Sequence, residues 1–340
     1  MFNENLYNTP YHKEDISKFK FLITGGAGFI GSNIVEYLLK YGAGHVRVLD
    51  NLSNGFYENI KDFVGLHNFE FIEGDIRDLN TCKKAVHGMH FVSHQAALGS
   101  VPRSIVDPIA TNEVNVGGFL NMLVAARESK TCIGFVYAAS SSTYGDNSDL
   151  PKVEGREGKP LSPYAITKAV NEYYADVFSR IYQFHTVGLR YFNVFGPKQD
   201  PNSAYSAVIP IFCKHTLANS LITINGDGQV SRDFTFIENA VQANILAMFS
   251  FNVEGAGKHE VYNVACGEQV RLIEVIEMLD SISGKCLDVG YGPERKGDIK
   301  HSKADIGKIF NKLGYEPKVN FAKGLDITYN WYKLKFKISE

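Results

Sequence analysis

The chain has 340 residues, of which 44% are hydrophobic and 21% charged; this is globular composition, which excludes a disordered tail, a collagen-like fibre and a disulfide miniprotein. Its 35 Lys and Arg against 37 Asp and Glu leave a formal charge of −2, so no global positive field gathers nucleic acid or anionic lipid, and only local basic sites stay open. The five cysteines, Cys82, Cys132, Cys213, Cys266 and Cys286, form no CxxC pair or metal-spaced cluster, so reduced thiols, no metal site and a cytoplasmic location are expected.

Residues 1–18 are polar, lack the apolar core of a signal peptide, and read as an N-terminal extension wrapped on the surface or partly disordered. No run of about 18 apolar residues occurs, so no membrane-spanning helix is expected. Phe19 to Thr24 is a short apolar run of strand character that ends in glycines and passes into the helical pattern Ile30, Ile34, Leu38, Leu39. Further strands are predicted at His45 to Leu49, Phe69 to Ile72, Met89 to His94 and Ile133 to Ala138. Helical segments lie between them; in Asp107 to Ser129, Val114, Phe119, Leu120, Leu123 and Val124 make one apolar stripe. Strands alternating with helices predict right-handed crossovers and a parallel sheet. Past Asn193 the elements shorten, and Pro197, Pro201 and Pro210 cluster with Gly196. A domain boundary is placed there, and a strand and helix over Arg232 to Ala247 return to the first domain. The expected division is an extension at 1–18, a first domain at 19–192 plus about 233–265, and a second at 193–232 and 266–340.

In the turn after the first strand, Gly25, Gly28 and Gly31 stand three residues apart. Gly25 can take the tight turn, Gly28 admits a pyrophosphate to the backbone, and Gly31 lets helix and sheet close. Such glycines alone also fit an ordinary turn. Asp50, ending the next strand 19 residues after Gly31, decides between the readings. A carboxylate there accepts hydrogen bonds from an adenosine ribose and repels a 2′-phosphate, so NAD is expected rather than NADP. The fold class expected is α/β, a Rossmann-type doubly wound parallel sheet with a smaller mixed C-terminal substrate domain. Asp75 and Ile76 end the third strand, where they would border the adenine, and Ala96 and Ala97 after the fourth would leave room for the cofactor. Strand-end capping and core packing are the plainer readings of both pairs.

Tyr164 and Lys168 begin a helix after Ser162-Pro163, and their i, i+4 spacing puts them on one face. An ammonium near a phenol favours phenolate, so such a tyrosine can act as a general base near neutral pH, although the same spacing suits a surface pair. Ser140-Ser141-Ser142-Thr143 follows a predicted strand at the carboxyl edge, where open parallel sheets place their sites; a hydrogen-bonded turn is the alternative.

In this order and spacing, the glycine turn, Asp50, Asp75, Ser140, Tyr164 and Lys168 resemble the extended short-chain dehydrogenase/reductase family, from about Phe19 to the end of the chain. Within it, Ala-Ala-Leu-Gly-Ser-Val-Pro-Arg-Ser (96–104), Tyr-Ala-Ala-Ser-Ser-Ser-Thr-Tyr-Gly-Asp (137–146) and Leu-Arg-Tyr-Phe-Asn-Val-Phe-Gly (189–196) resemble UDP-N-acetylglucosamine 4-epimerases. The resemblance implies reversible oxidation at C4 of a UDP-sugar by tightly held NAD. Tyr164 would take the 4-hydroxyl proton, Ser140 would hydrogen-bond the reacting oxygen, and Lys168 would bind the nicotinamide ribose and lower the tyrosine pKa. It also assigns Phe29, Ile30, Asn51, Tyr191 and Asn115 to the cofactor, with a buried structural amide the alternative for Asn115. Ser141 and Ser142 stand where related 4,6-dehydratases carry an Asp-Glu pair, so dehydration is not expected.

A UDP-sugar brings two phosphates, so the second domain should supply cations. Arg232 and Arg295 each neighbour an aspartate and also suit surface salt bridges. By resemblance both bind the diphosphate, Asn193 binds a phosphate, Asp298 holds the uridine ribose, and Ala207, Val208 and Asn225 surround the uracil. Gly99, Ser100, Ser141 and Ser142 are assigned to the sugar. Ser302 aligns with a bulky tyrosine of epimerases restricted to non-acetylated sugars. A serine there leaves volume for an acetamido group, so N-acetyl sugars are expected to be preferred and plain hexoses admitted. One competing reading is a UDP-hexuronic acid 4-epimerase, which needs a cation near C6, with Arg103 and Lys198 as candidates. Another is a catalytically silent NAD- and UDP-sugar-binding regulator, against which intact Ser140, Tyr164 and Lys168 argue. Relatives commonly dimerise through four helices. Here those helices would be 107–129 and 162–182, with Phe119, Tyr173, Tyr174 and Phe178 either at a homodimer interface or in the core.

Overall fold

The computed structural model describes residues 3–4, 6–203, 206–252, 257–294 and 300–336. Seven strands, β1 (Lys20–Thr24), β2 (His45–Asp50), β3 (Phe69–Glu73), β4 (Phe91–His94), β5 (Gly134–Ser140), β6 (His185–Tyr191) and β7 (His259–Val264), form one sheet in the order β7-β6-β5-β4-β1-β2-β3. Every adjacent pair is parallel. β1 to β5 fall within two residues of the predicted runs, the usual uncertainty of element ends. Because helices cover both faces, inner strands are apolar on both sides, as in the buried Phe21-Leu22-Ile23 of β1. The order of winding reverses at β1, which has β2 on one side and β4 on the other, and a crevice opens at the carboxyl ends of such strands.

Local signals set the helices around that crevice. Helix α1 (Phe29–Lys40) starts at the glycine turn. The predicted helix over Asp107 to Ser129 is instead a chain of pieces beginning at Val101. Asp107 caps a new start at Pro108, a π-helical turn spans Glu113–Gly118, and α2 (Phe119–Glu128) completes it. Helix α3 (Pro163–Tyr182) begins where Ser162 accepts a hydrogen bond from Ala165 N at 3.1 Å and proline occupies the first turn. That start fixes Tyr164 and Lys168 in successive turns. Helix α4 (Ile237–Phe249) packs against α1 and the sheet.

The return of the chain differs from the sequence reading. The short strand Thr235–Phe236 pairs with Val194–Phe195 outside the large sheet, and the strand that rejoins it is β7. The remaining small strands pair Ile222–Asn225 with Val289–Gly292 and Ser231–Arg232 with Val270–Arg271. No helix among the described residues is long and apolar enough to cross a membrane.

The N-terminal extension is not a loose surface wrap. Leu6 and Tyr7 are fully buried in the main core. Tyr7 Oη donates to Asn33 Oδ1 at 2.9 Å, Lys40 Nζ donates to Leu6 O at 2.7 Å, and the Tyr11 ring stacks on Tyr37 at 5.3 Å. The aromatic residues that looked like part of a polar leader supply this anchoring, because a phenol can bury its ring and still find a hydrogen-bond partner. Tyr7→Ala is therefore expected to cost on the order of 3 kcal/mol of unfolding free energy, and Tyr7→Phe about 1 kcal/mol, measured by urea denaturation.

Candidate active site

A cavity of about 610 Å³ opens over the carboxyl ends of the strands around β1. The turn after β1 lines it with Gly25, Gly28, Phe29, Ile30 and Gly31, and the ends of β2 and β3 add Asp50, Asn51, Asp75 and Ile76. The loop after β4 contributes Ala96, Ala97, Gly99 and Ser100. Ser140, Ser141 and Ser142 leave β5 into the same cavity, where they meet Tyr164, Lys168, Tyr191 and Asn193. A second cavity of about 500 Å³ shares Asn193 and Val194 with the first and is lined by Ala207, Val208, Asn225 and Arg232. Arg295 and Asp298 lie outside the described residues.

Two predicted site residues line neither cavity. Asn115 is buried and acts as a clamp: its side chain accepts from Leu98 N at 2.8 Å and donates to Leu98 O at 3.1 Å and to Thr167 Oγ1 at 3.2 Å. It thereby joins the loop after β4 to the helix of Tyr164 and Lys168. Ser302 is half-buried, with its N–H on Ser231 O at 3.1 Å, next to Arg232.

The glycine turn is shaped for a ligand that approaches backbone. Gly25 sits at φ +66°, and a Cβ there would lie 2.7 Å from Ala96 N. A Cβ on Gly31 would fall 2.2 Å from Gly25 O. Among the described residues, the only atom close to a Cβ on Gly28, its chain neighbours aside, is Gly25 O at 3.1 Å, so a side chain there would project into the cavity. Asp50 caps this turn, its carboxylate accepting from Ala27 N at 3.0 Å and Leu52 N at 2.8 Å. Burial raises its pKa and these backbone bonds oppose the rise. Asp75 is held by Arg77 at 2.7 Å and Asn51 at 3.0 Å, and its carboxyl is lowered to about 2, chiefly by the Arg77 hydrogen bonds. A cradle without side chains, a helix N-terminus and a carboxylate at the end of β2 fit NAD.

At the chemical end, Lys168 Nζ donates to Ala138 O at 2.7 Å and lies 5.9 Å from the centroid of the Tyr164 ring. Lys168 is buried, and desolvation lowers its pKa to about 8 while Glu172 pulls the other way. Burial raises the Tyr164 phenol, and the nearby Ser140 hydroxyl works against that rise. The lowering expected from Lys168 is opposed here by the burial of the phenol. Ser140 Oγ also accepts from Ser142 N at 3.1 Å and Ser142 Oγ at 2.9 Å, which fixes its lone pairs.

Some positions in and beside the cavities carried no sequence signal. Gln95 lines the cavity and accepts from Tyr191 Oη at 3.1 Å, in a network completed by Ser93 and Asn244. Only its place just before Ala96 hinted at it. Asp233 is fully buried and accepts from Cys266 N, Gly267 N and Ala304 N at 2.9 to 3.1 Å, fastening the backbone beside Arg232. Burial raises its pKa to about 6. Of the cations considered for a sugar carboxylate, Lys198 pairs with the buried Glu36 at 2.7 Å and Arg103 donates to Asn54 at 2.8 Å.

Comparison with known proteins agrees with this geometry. The NAD dependent epimerase/dehydratase family matches residues 21–265. A UDP-glucose 4-epimerase of Mycolicibacterium smegmatis is 33% identical over 315 residues, 92% of this chain and 98% of that one. The structure of a UDP-N-acetylglucosamine 4-epimerase from Methanobrevibacter ruminantium M1, in complex with UDP-N-acetylmuramic acid, superposes with a TM-score of 0.87 at 36% identity, covering 93% of this chain and 99% of that one. A UDP-glucuronic acid 4-epimerase from Bacillus cereus, solved with UDP-glucuronic acid and NAD, gives 0.84 at 31% identity, covering 93% and 99%. The chain belongs to the NAD dependent epimerase/dehydratase family, within the extended short-chain dehydrogenases/reductases. Its place there is among the UDP-sugar 4-epimerases, and its cofactor is NAD.

The lysine gives a pH test. With its pKa lowered to about 8, the ammonium is lost as pH rises through that value, so turnover should fall on an alkaline limb near pH 8. Lys168→Arg keeps the charge, and its residual activity should show no such limb when initial rates are followed from pH 6 to 10.

Proposed function

We propose that this protein interconverts UDP-N-acetylglucosamine and UDP-N-acetylgalactosamine through a 4-keto intermediate, with UDP-glucose and UDP-galactose as slower substrates. The observation that carries this reading is the meeting of Ser140, Tyr164 and Lys168 in one cavity that continues, through Asn193, into a second cavity with an arginine. Tyr164 takes the proton of the 4-hydroxyl and returns it after the sugar has presented its other face. Ser140 holds the reacting oxygen, and Lys168 keeps a positive charge beneath the phenol. NAD, when bound, supplies the hydride acceptor for C4 and a second positive charge that lowers the tyrosine. Arg232 and Asn193 hold the diphosphate, with Arg295 and Asp298 assigned to the diphosphate and ribose by resemblance.

The preference for an acetamido group rests on Ser302, small and tied through its backbone to Ser231 beside Arg232. The hexuronate reading loses support because Lys198 is engaged by Glu36. A cytoplasmic location is proposed in keeping with five cysteines, none of them in a disulfide.

The protein is also proposed to be a homodimer. Phe119 and Phe178, two of the aromatics considered for the interface, are interior. What the helices 101–112 and α3 expose together are Ile105, Val106, Ile109, Tyr173 and Ile181, between 63% and 77% accessible. A patch of this kind on paired helices is the signature of an association surface.

Proton NMR of UDP-N-acetylglucosamine incubated without added NAD should show the C4 epimer. Tyr164→Phe should reduce its rate roughly a hundredfold to ten-thousandfold. Ser302→Tyr should depress kcat/KM for the acetylated sugar by at least about tenfold more than for UDP-glucose; equal loss on both would sink the steric argument. Separately, Ile109→Glu combined with Tyr173→Glu should convert a dimer to a monomer in light scattering.

A further inference from the structure

The cofactor cleft is crossed by a contact that nothing in the chemistry above uses. β1 lies between β2 and β4, so the loops leaving those two strands are separated by two strand spacings, about 10 Å, with the glycine turn between them. Asn54 and Gly55 belong to the loop after β2, Ser100 to the loop after β4 and Val101 to the helix that follows it, and all four line the same cleft. Arg103 Nη1 donates to Asn54 Oδ1 at 2.8 Å, a bond between residues 49 apart in sequence that runs from one lip to the other.

Both lips are braced. On the Asn54 side, Phe56 N donates to Ala27 O at 3.0 Å and Asn59 Nδ2 to the same oxygen at 2.9 Å, stitching the loop to the glycine turn. A Cβ on Gly55 would sit 2.9 Å from Asp50 Oδ2, so the lip runs close beside the carboxylate that caps the turn. On the other side, Ser100 stands at φ +98° and accepts from Arg103 N at 3.3 Å, capping the start of the helix that carries Arg103. A strained residue that caps the helix whose arginine crosses the cleft is a feature worth a function. The bond itself is solvent-exposed, so it can open without unfolding either loop.

We infer that the Asn54–Arg103 hydrogen bond is a latch over the glycine turn that slows exchange of NAD. The inference rests on the epimerase reading, because an enzyme that returns its cofactor unchanged in every cycle gains from keeping it, whereas a dehydrogenase must release it. Arg103 is a positioning residue in this account, acting on the lip and not on the reacting atoms.

The test is the rate at which the protein, purified with its NAD, exchanges it for isotopically labelled NAD, read by mass spectrometry of the cofactor released on denaturation. Asn54→Ala and Arg103→Met should each speed exchange about fivefold to tenfold, and the double variant should be no faster than either single one. Unchanged exchange in the single variants overturns the latch. So do multiplicative effects in the double variant, which would mean that each side chain holds the cofactor by itself. Epimer formation by the parent protein with fast, variant-insensitive exchange would sink the latch and leave the reaction standing. Slow, variant-sensitive exchange in a protein that converts no UDP-sugar would do the reverse.

Discussion

The site depends on how closely two backbones approach at the switch point of the sheet. Gly25 N donates to Leu49 O at 2.8 Å and Gln95 N to Thr24 O at 3.0 Å, so the hydrogen-bond ladder of the sheet continues past the ends of the strands and draws the turns after β1 and β4 together. The distance left is too small for any Cβ at Gly25. From that approach follow the open face at Gly28, the start of α1 with its free N–H groups, and the place of Asp50 at their edge. Helix dipole and carboxylate oppose each other in charge, which suits a ligand carrying a pyrophosphate at one point and ribose hydroxyls at the next.

The second requirement is to keep charge buried where chemistry needs it. Lys168 is held in the interior at an electrostatic cost that lowers its pKa, and Glu172, one helical turn on, offsets part of this. Glu172 is itself bound bidentately by the buried Arg190 at 2.7 and 2.9 Å, and Arg190 also pairs with Glu157 and lies over the Tyr144 ring at 4.9 Å. A buried arginine with two carboxylates is a poor source of stability but a strong constraint on geometry. Here it ties β6, the loop before α3 and α3 itself into one unit behind Tyr164 and Lys168.

Much of the site was legible in the sequence because its chemistry is carried by local patterns. A glycine turn, an aspartate ending the next strand, and a tyrosine and lysine one helical turn apart each encode their geometry within a few residues, and the structure gathers all of them in one cavity. The positions that were misread or unseen are those whose meaning depends on distant partners. Asn115 reads as a ligand residue or a buried amide until Leu98 and Thr167 are seen to occupy its side chain. Phe119 and Phe178 satisfy an interface stripe as well as a core stripe, and only packing puts them inside while leaving Ile105 and Ile109 outside. Leu6 and Tyr7 lie in a segment whose average polarity hides two core side chains.

The sequence by itself determined the strand and helix alternation, the glycine cradle and the place of Tyr164 and Lys168 on one helix face, because each rests on backbone geometry or spacing shorter than a helical turn or a strand-turn-helix unit. Only the tertiary structure decided the surroundings of those groups, since burial raises Tyr164 and lowers Lys168, and only it decided which loops face each other across the cleft. Both are properties of what surrounds a residue in space. Desolvation and long-range contact arise when segments far apart in the chain close on one another, and no local pattern records that closure.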